Sequence, residues 1–79
     1  MKKKRIILIH LSINKKARII SLEGGRGFQR KLRVMGIREG QTTTIISKQP
    51  FRGPITVKIG SCQITLGRGM ANKILVEEI

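Results

Sequence analysis

Seventy-nine residues carry seventeen lysines and arginines against four acids, a formal net charge of +13. A chain this short makes one domain and buries only about 60% of the surface its unfolded form exposes, which leaves little room for both a core and an enclosed active site. The positive field attracts nucleic acid, acidic lipid headgroups or an acidic protein surface, while the single cysteine, Cys62, excludes an intramolecular disulfide and suits a reducing compartment.

The whole chain, 1–79, reads as a single domain in which residues 1–4 are a flexible basic lead-in. Lys2 to Arg5 followed by Ile6 to Ile9 has the charge-then-apolar order of a signal peptide. The apolar stretch is too short, however, and His10, Asn14, Lys15 and Lys16 follow with no small-residue cleavage site. Nothing approaches the roughly 20 apolar residues of a membrane span, so the expected location is cytoplasmic.

The run from Arg5 to Leu11 reads as a buried strand, and Asn14-Lys15-Lys16 as a polar break. Ala17 to Leu22, rich in isoleucine, is a second strand ended by Glu23-Gly24-Gly25. The period then changes. Phe28, Leu32 and Met35 stand at i, i+4 and i+7, one face of a helix, and at 100° per residue Arg26, Arg30 and Arg33 fall on nearly the opposite face. Gly36 stands where a left-handed C′ residue belongs, with Ile37 as its apolar contact. This predicts a short helix of two to three turns, apolar inside and basic outside.

After the turn Arg38-Glu39-Gly40, the strand period returns from Gln41 to Lys48. Gln49 to Pro54 is a loop with a proline near each end. Ile55, Val57 and Ile59 alternate with Thr56 and Lys58, and Gly60-Ser61 is a two-residue hairpin turn. Cys62, Ile64 and Leu66 resume the inward face, with Gln63 and Thr65 outward. Gly67 to Ala71 holds at most one turn of helix, and Ile74 and Val76 mark the last strand. The expected class is mainly β: a small SH3-like partly open barrel of five to six strands, with one short α-helix after the second. Pairing of the first and last strands protects its edges.

Catalytic and metal-binding equipment is absent from this pattern. One histidine, one cysteine and four acids include no pair at ligand spacing. Cys62, in register with Ile64 and Leu66, reads as core; His10 reads as an edge residue and Glu77-Glu78 as a solvated end. A nucleophile would need a base and an orienting group, and His10 is the sole imidazole. Gly24-Gly25-Arg26-Gly27 lacks the spacing and the Lys-Ser/Thr ending of a P-loop. The expectation is a non-enzymatic module without cofactor or metal.

Leu22-Glu23-Gly24-Gly25, then Leu32-Arg33-Val34-Met35-Gly36-Ile37-Arg38-Glu39-Gly40, then the Pro50–Pro54 loop, the Ile55–Leu66 hairpin and Ala71-x-x-Ile74-x-Val76 together resemble the FeoA family of ferrous iron transport proteins. The resemblance covers roughly residues 17–76 and implies an SH3-like barrel. It further implies a role beside FeoB, the membrane Fe(II) transporter with a GTP-binding domain, or a regulatory domain related to metal-dependent repressors. The sequence departs from the family's Pro-Leu-x-x-Leu opening, since His10 precedes Leu11-Ser12-Ile13. Gly67 and Gly69 also interrupt a segment that usually favours helix.

Two surfaces are the expected partner-binding sites: the basic helix face of Arg26, Arg30 and Arg33, and the loop with Pro50, Phe51 and Arg52. Phe51 reads either as an exposed apolar anchor or as a ring folded back into the core. The alternative function is a basic SH3-like nucleic-acid-binding barrel, since +13 supplies phosphate affinity. Base stacking needs exposed aromatics, and the chain has only two phenylalanines and no tryptophan or tyrosine. Nucleic acid is therefore the weaker partner class.

Overall fold

Alternation of buried and solvated residues along each strand builds one antiparallel sheet in the computed structural model, which describes residues 4–79. Its strands are β1 (Arg5–Ile7), β2 (Lys16–Leu22), β3 (Thr42–Lys48), β4 (Ile55–Ile59), β5 (Cys62–Leu66) and β6 (Ile74–Glu78), in spatial order β1-β6-β2-β3-β4-β5. The first and last strands pair, Ile6 facing Val76, and β6 passes on to β2 with Ile19 opposite Val76. The sheet curls without closing into an SH3-like open barrel. Ala17, Ile19, Ile45, Ile55, Val57, Leu66, Ile74 and Val76 line its interior, all essentially without solvent exposure.

Two bulges help the sheet bend. The register shifts between Ile19 and Ser21 on β2 and between Ile45 and Ser47 on β3. An extra residue on one strand bends it and increases its twist, and here the extra residues are Ile20 and Ile46.

Helix α1 (Arg26–Val34) follows β2 and packs Leu32 into the core, with Phe28 half-buried beside it. The end of α1 is a complete Schellman motif. Gly36 has φ of +99°, its N–H donates to the Arg33 carbonyl at 3.0 Å, and the Ile37 N–H donates to the Leu32 carbonyl at 3.0 Å. Leu32 and Ile37 are both buried, which supplies the apolar contact of the motif.

Two sequence expectations need correction. The apolar run from Arg5 to Leu11 is not one strand: β1 ends at Ile7, and Leu8–His10 forms a 3-10 turn. Leu8 and Leu11 are both buried. A strand would send residues three apart to opposite faces, whereas a 3-10 turn stacks i over i+3. Cys62 is exposed rather than core. It opens an edge strand beside a turn, and burial along the inner row of β5 rises only from Cys62 through half-buried Ile64 to buried Leu66. The single turn expected within Gly67 to Ala71 does form, as α2 (Arg68–Ala71), with Gly67 as its extended N-cap and Ala71 buried. Of the expected lead-in, residues 1–3 lie outside the described residues. The Lys4 carbonyl accepts a hydrogen bond from the Glu78 N–H at 2.9 Å.

Candidate functional site

The β3–β4 hairpin ends in a turn whose backbone has the wrong hand for its side chains. Phe51 has φ of +58° and Arg52 of +60°, the signs of a type I′ turn, which Asn-Gly ordinarily fills. The turn is closed by the Gly53 N–H donating to the Pro50 carbonyl at 3.1 Å and the Gln49 N–H donating to the Pro54 carbonyl at 3.0 Å. Gly53 is required sterically, because a Cβ there would stand 2.7 Å from that of Gln49. A left-handed conformation costs an L-residue roughly 1–2 kcal/mol, yet Phe51 buries nothing in return, being 99% exposed. Of the two readings left open for Phe51, the structure gives the exposed ring. A strained, fully solvated aromatic at a loop tip suits contact with another surface better than stability.

The basic face of α1 is also solvated: Arg26, Arg30 and Arg33 are all exposed. They differ in freedom. The Arg33 guanidinium donates to Glu39 Oε2 at 3.1 Å, both side chains being about half exposed. Arg26 and Arg30 make no ion pair among the described residues. Sequence reasoning missed Val34, which is 81% exposed. On the helical wheel it stands some 40° from Arg30, at 100° per residue, so the pattern that found the arginines also contained this apolar contact point.

The ligand-type residues are dispersed. Among the described residues, no three His, Cys, Asp or Glu side chains come together as a metal site. His10 is exposed at the end of the 3-10 turn, Cys62 opens β5, Glu23 accepts from the Ser21 hydroxyl, and Glu77 accepts from Arg5 at 3.0 Å. No helix of the described residues is long and apolar enough to cross a membrane.

A family model described as "FeoA domain" matches residues 7–78. The chain belongs to the FeoA domain family. Both candidate surfaces lie inside the matched region. The chain is 33% identical over 72 residues to the Fe(2+) transport protein A/Fe(2+) transporter FeoB fusion protein of Porphyromonas gingivalis. That alignment covers 91% of this chain and 8% of the fusion protein, so the chain spans only a small part of that relative. A crystal structure of an iron uptake regulatory protein (FeoA) superposes with a TM-score of 0.88 at 25% identity, covering 96% of this chain and all of the other. A manganese-dependent transcriptional repressor superposes at 0.89 over all of this chain and 44% of its own length. At 19% identity, that likeness shows the fold alone.

Proposed function

We propose that this FeoA domain is a non-enzymatic accessory module of ferrous iron uptake, acting at the cytoplasmic face of the membrane by docking on a FeoB-type transporter. The observation that carries this reading is the fusion relative, in which a FeoA portion and a FeoB portion share one chain. Fusion holds two domains at a high effective concentration, an arrangement that suits partners acting together. The hairpin tip, with Phe51 between Pro50 and Arg52, offers an aromatic anchor. The α1 face, with Arg26, Arg30 and Arg33 beside Val34, offers charge for an acidic partner surface. Docking that differs in strength between two states of the transporter, including nucleotide states of its GTP-binding domain, shifts the balance between them.

The test is Fe(II) uptake at limiting iron in cells lacking the protein. Uptake falls on deletion, is restored by the natural chain, and is not restored by Phe51→Ala combined with Arg26→Gln and Arg30→Gln. Unchanged uptake after deletion overturns the reading.

A further inference from the structure

The outer face of the barrel carries a second arrangement of charge, separate from α1 and the hairpin tip. Antiparallel pairing sets Lys16 of β2 opposite Thr44 of β3, and Thr44 opposite Lys58 of β4. The alternation that buries Ala17, Thr43 and Val57 points these three side chains outward. Two positions along β3 on the same face stands Thr42, opposite Arg18 of β2, and one residue beyond the Thr43–Ile59 pair comes Gly60, which opens the β4–β5 turn with φ of +62°. Lys16, Thr42, Thr44, Lys58 and Gly60 line a depression of about 300 Å³. Gly60 leaves one side of it free, with no atom within 4 Å of where a Cβ would stand.

We propose that this depression is a phosphate-binding site, taking a phosphate or diphosphate group between Lys16 and Lys58 with the threonine hydroxyls as further donors. Three observations support it. Neighbouring strands lie about 4.8 Å apart, so the two lysines stand roughly 10 Å apart at the backbone and their long stems can converge on one anion. Neither ammonium has a carboxylate partner: among the described residues the ion pairs are Arg5–Glu77 and Arg33–Glu39. Glu77, outward on β6, is held by Arg5 at 3.0 Å and faces Arg18. The hydroxyls are free as well. In the adjacent outward pair Thr56 and Thr65 bond each other at 3.0 Å, whereas Thr42 and Thr44 make no side-chain hydrogen bond among the described residues.

Two unpaired ammonium groups over free hydroxyls match a multiply charged oxyanion. Lysine supplies point charge and threonine supplies a neutral donor. The site stands independently of docking on a transporter, and the uptake experiment leaves it untouched.

Inorganic pyrophosphate is the probe, followed by amide and Lys side-chain NMR shifts on the full chain. The expected result is saturable shifts centred on Lys16, Thr44, Lys58 and Gly60. Affinity falls about tenfold in K16Q/K58Q and less in T44V, since charge-assisted bonds outweigh neutral ones. The control is R26Q/R30Q, which removes the same charge elsewhere and leaves affinity within about twofold, as solvated charges beyond a Debye length are screened. All three variants change exposed or half-exposed positions, and their unliganded amide spectra confirm the fold. A second arm sediments the chain with phosphatidic acid vesicles against phosphatidylcholine vesicles. Lysine-dependent binding to the former without a pyrophosphate response assigns the phosphate to a lipid headgroup. Equal weakening in K16Q/K58Q and R26Q/R30Q, or no response in either arm, overturns the site.

Discussion

Replacing Phe51-Arg52 by Asn-Gly separates what the hairpin tip does for the fold from what it does for a partner. Both residues occupy left-handed backbone, with φ of +58° and +60°. Each costs roughly 1–2 kcal/mol for an ordinary L-residue, and asparagine and glycine visit this region readily. The swap relieves about 2 kcal/mol in total. Glycine returns some 0.5–1 kcal/mol of this through the greater freedom of the unfolded chain. No hydrophobic burial is lost, because the Phe51 ring is 99% exposed. The double variant is therefore stabilised by about 1 kcal/mol, which raises the Tm of a domain this size by roughly 4–8 °C. Under the proposed docking, binding moves the other way: removing an aromatic anchor costs about 2 kcal/mol or more, some thirtyfold in Kd. Thermal unfolding by circular dichroism reads the first effect, and titration with the cytosolic part of a FeoB-type transporter, the proposed partner, reads the second. A Tm that falls by several degrees would refute the strain argument, since Phe51 would then be supporting the fold.

Gly36→Ala is expected to lower the urea midpoint at unchanged m-value. At φ of +99° alanine is strained by about 1–2 kcal/mol, whereas its Cβ would meet only Ile64 Cδ1 at 4.0 Å, so the loss is conformational rather than steric. Thr43→Val raises the midpoint by about 1 kcal/mol of stability. The Thr43 hydroxyl is buried on the inner face of β3 without a partner among the described residues, and an unpaired buried polar group costs of order 1–3 kcal/mol. A fall in midpoint would show that the hydroxyl is satisfied. Raising ionic strength from about 0.01 to 0.15 M shortens the Debye length from about 30 to 8 Å. It should raise the Tm of this +13 chain measurably; a falling Tm would mean that ion pairing outweighs repulsion.

The parts of the fold legible in the sequence are those fixed by local chemistry. The β4–β5 hairpin followed from strict alternation around Gly60-Ser61. The end of α1 followed from Gly36, because a left-handed C′ position and its apolar neighbours are written within six residues. The misreadings come from longer range. Leu8 and Leu11 read as strand because an apolar run hides whether its period is two or three. Only packing of both leucines into the core decides for the 3-10 turn. Cys62 follows its strand's register faithfully but lies past the end of the packed interior, a boundary that partner strands set. The bulges at Ile20 and Ile46 exist only in relation to neighbouring strands. Phe51 was undecidable for the same reason: the hand of its turn, not its residue type, sends the ring to solvent.

The distribution of charge separates what holds the barrel together from what it presents. The interior rows are aliphatic apart from Thr43, and the two side-chain ion pairs among the described residues, Arg5–Glu77 and Arg33–Glu39, both involve exposed arginines. Pairs of that kind contribute typically 0–1 kcal/mol, so ion pairing does not account for the seventeen basic residues. Their mutual repulsion works against the compact state. Phe51 and Arg52 are costly to the fold in the same sense, through backbone rather than charge. Features that destabilise a small domain and face solvent are most simply explained by what they contact. Three of the places where they fall are the proposed contact surfaces: the α1 face, the hairpin tip, and the Lys16–Thr44–Lys58 row. A barrel stable through its inner rows leaves all three free to serve partners or ligands without altering the core that positions them.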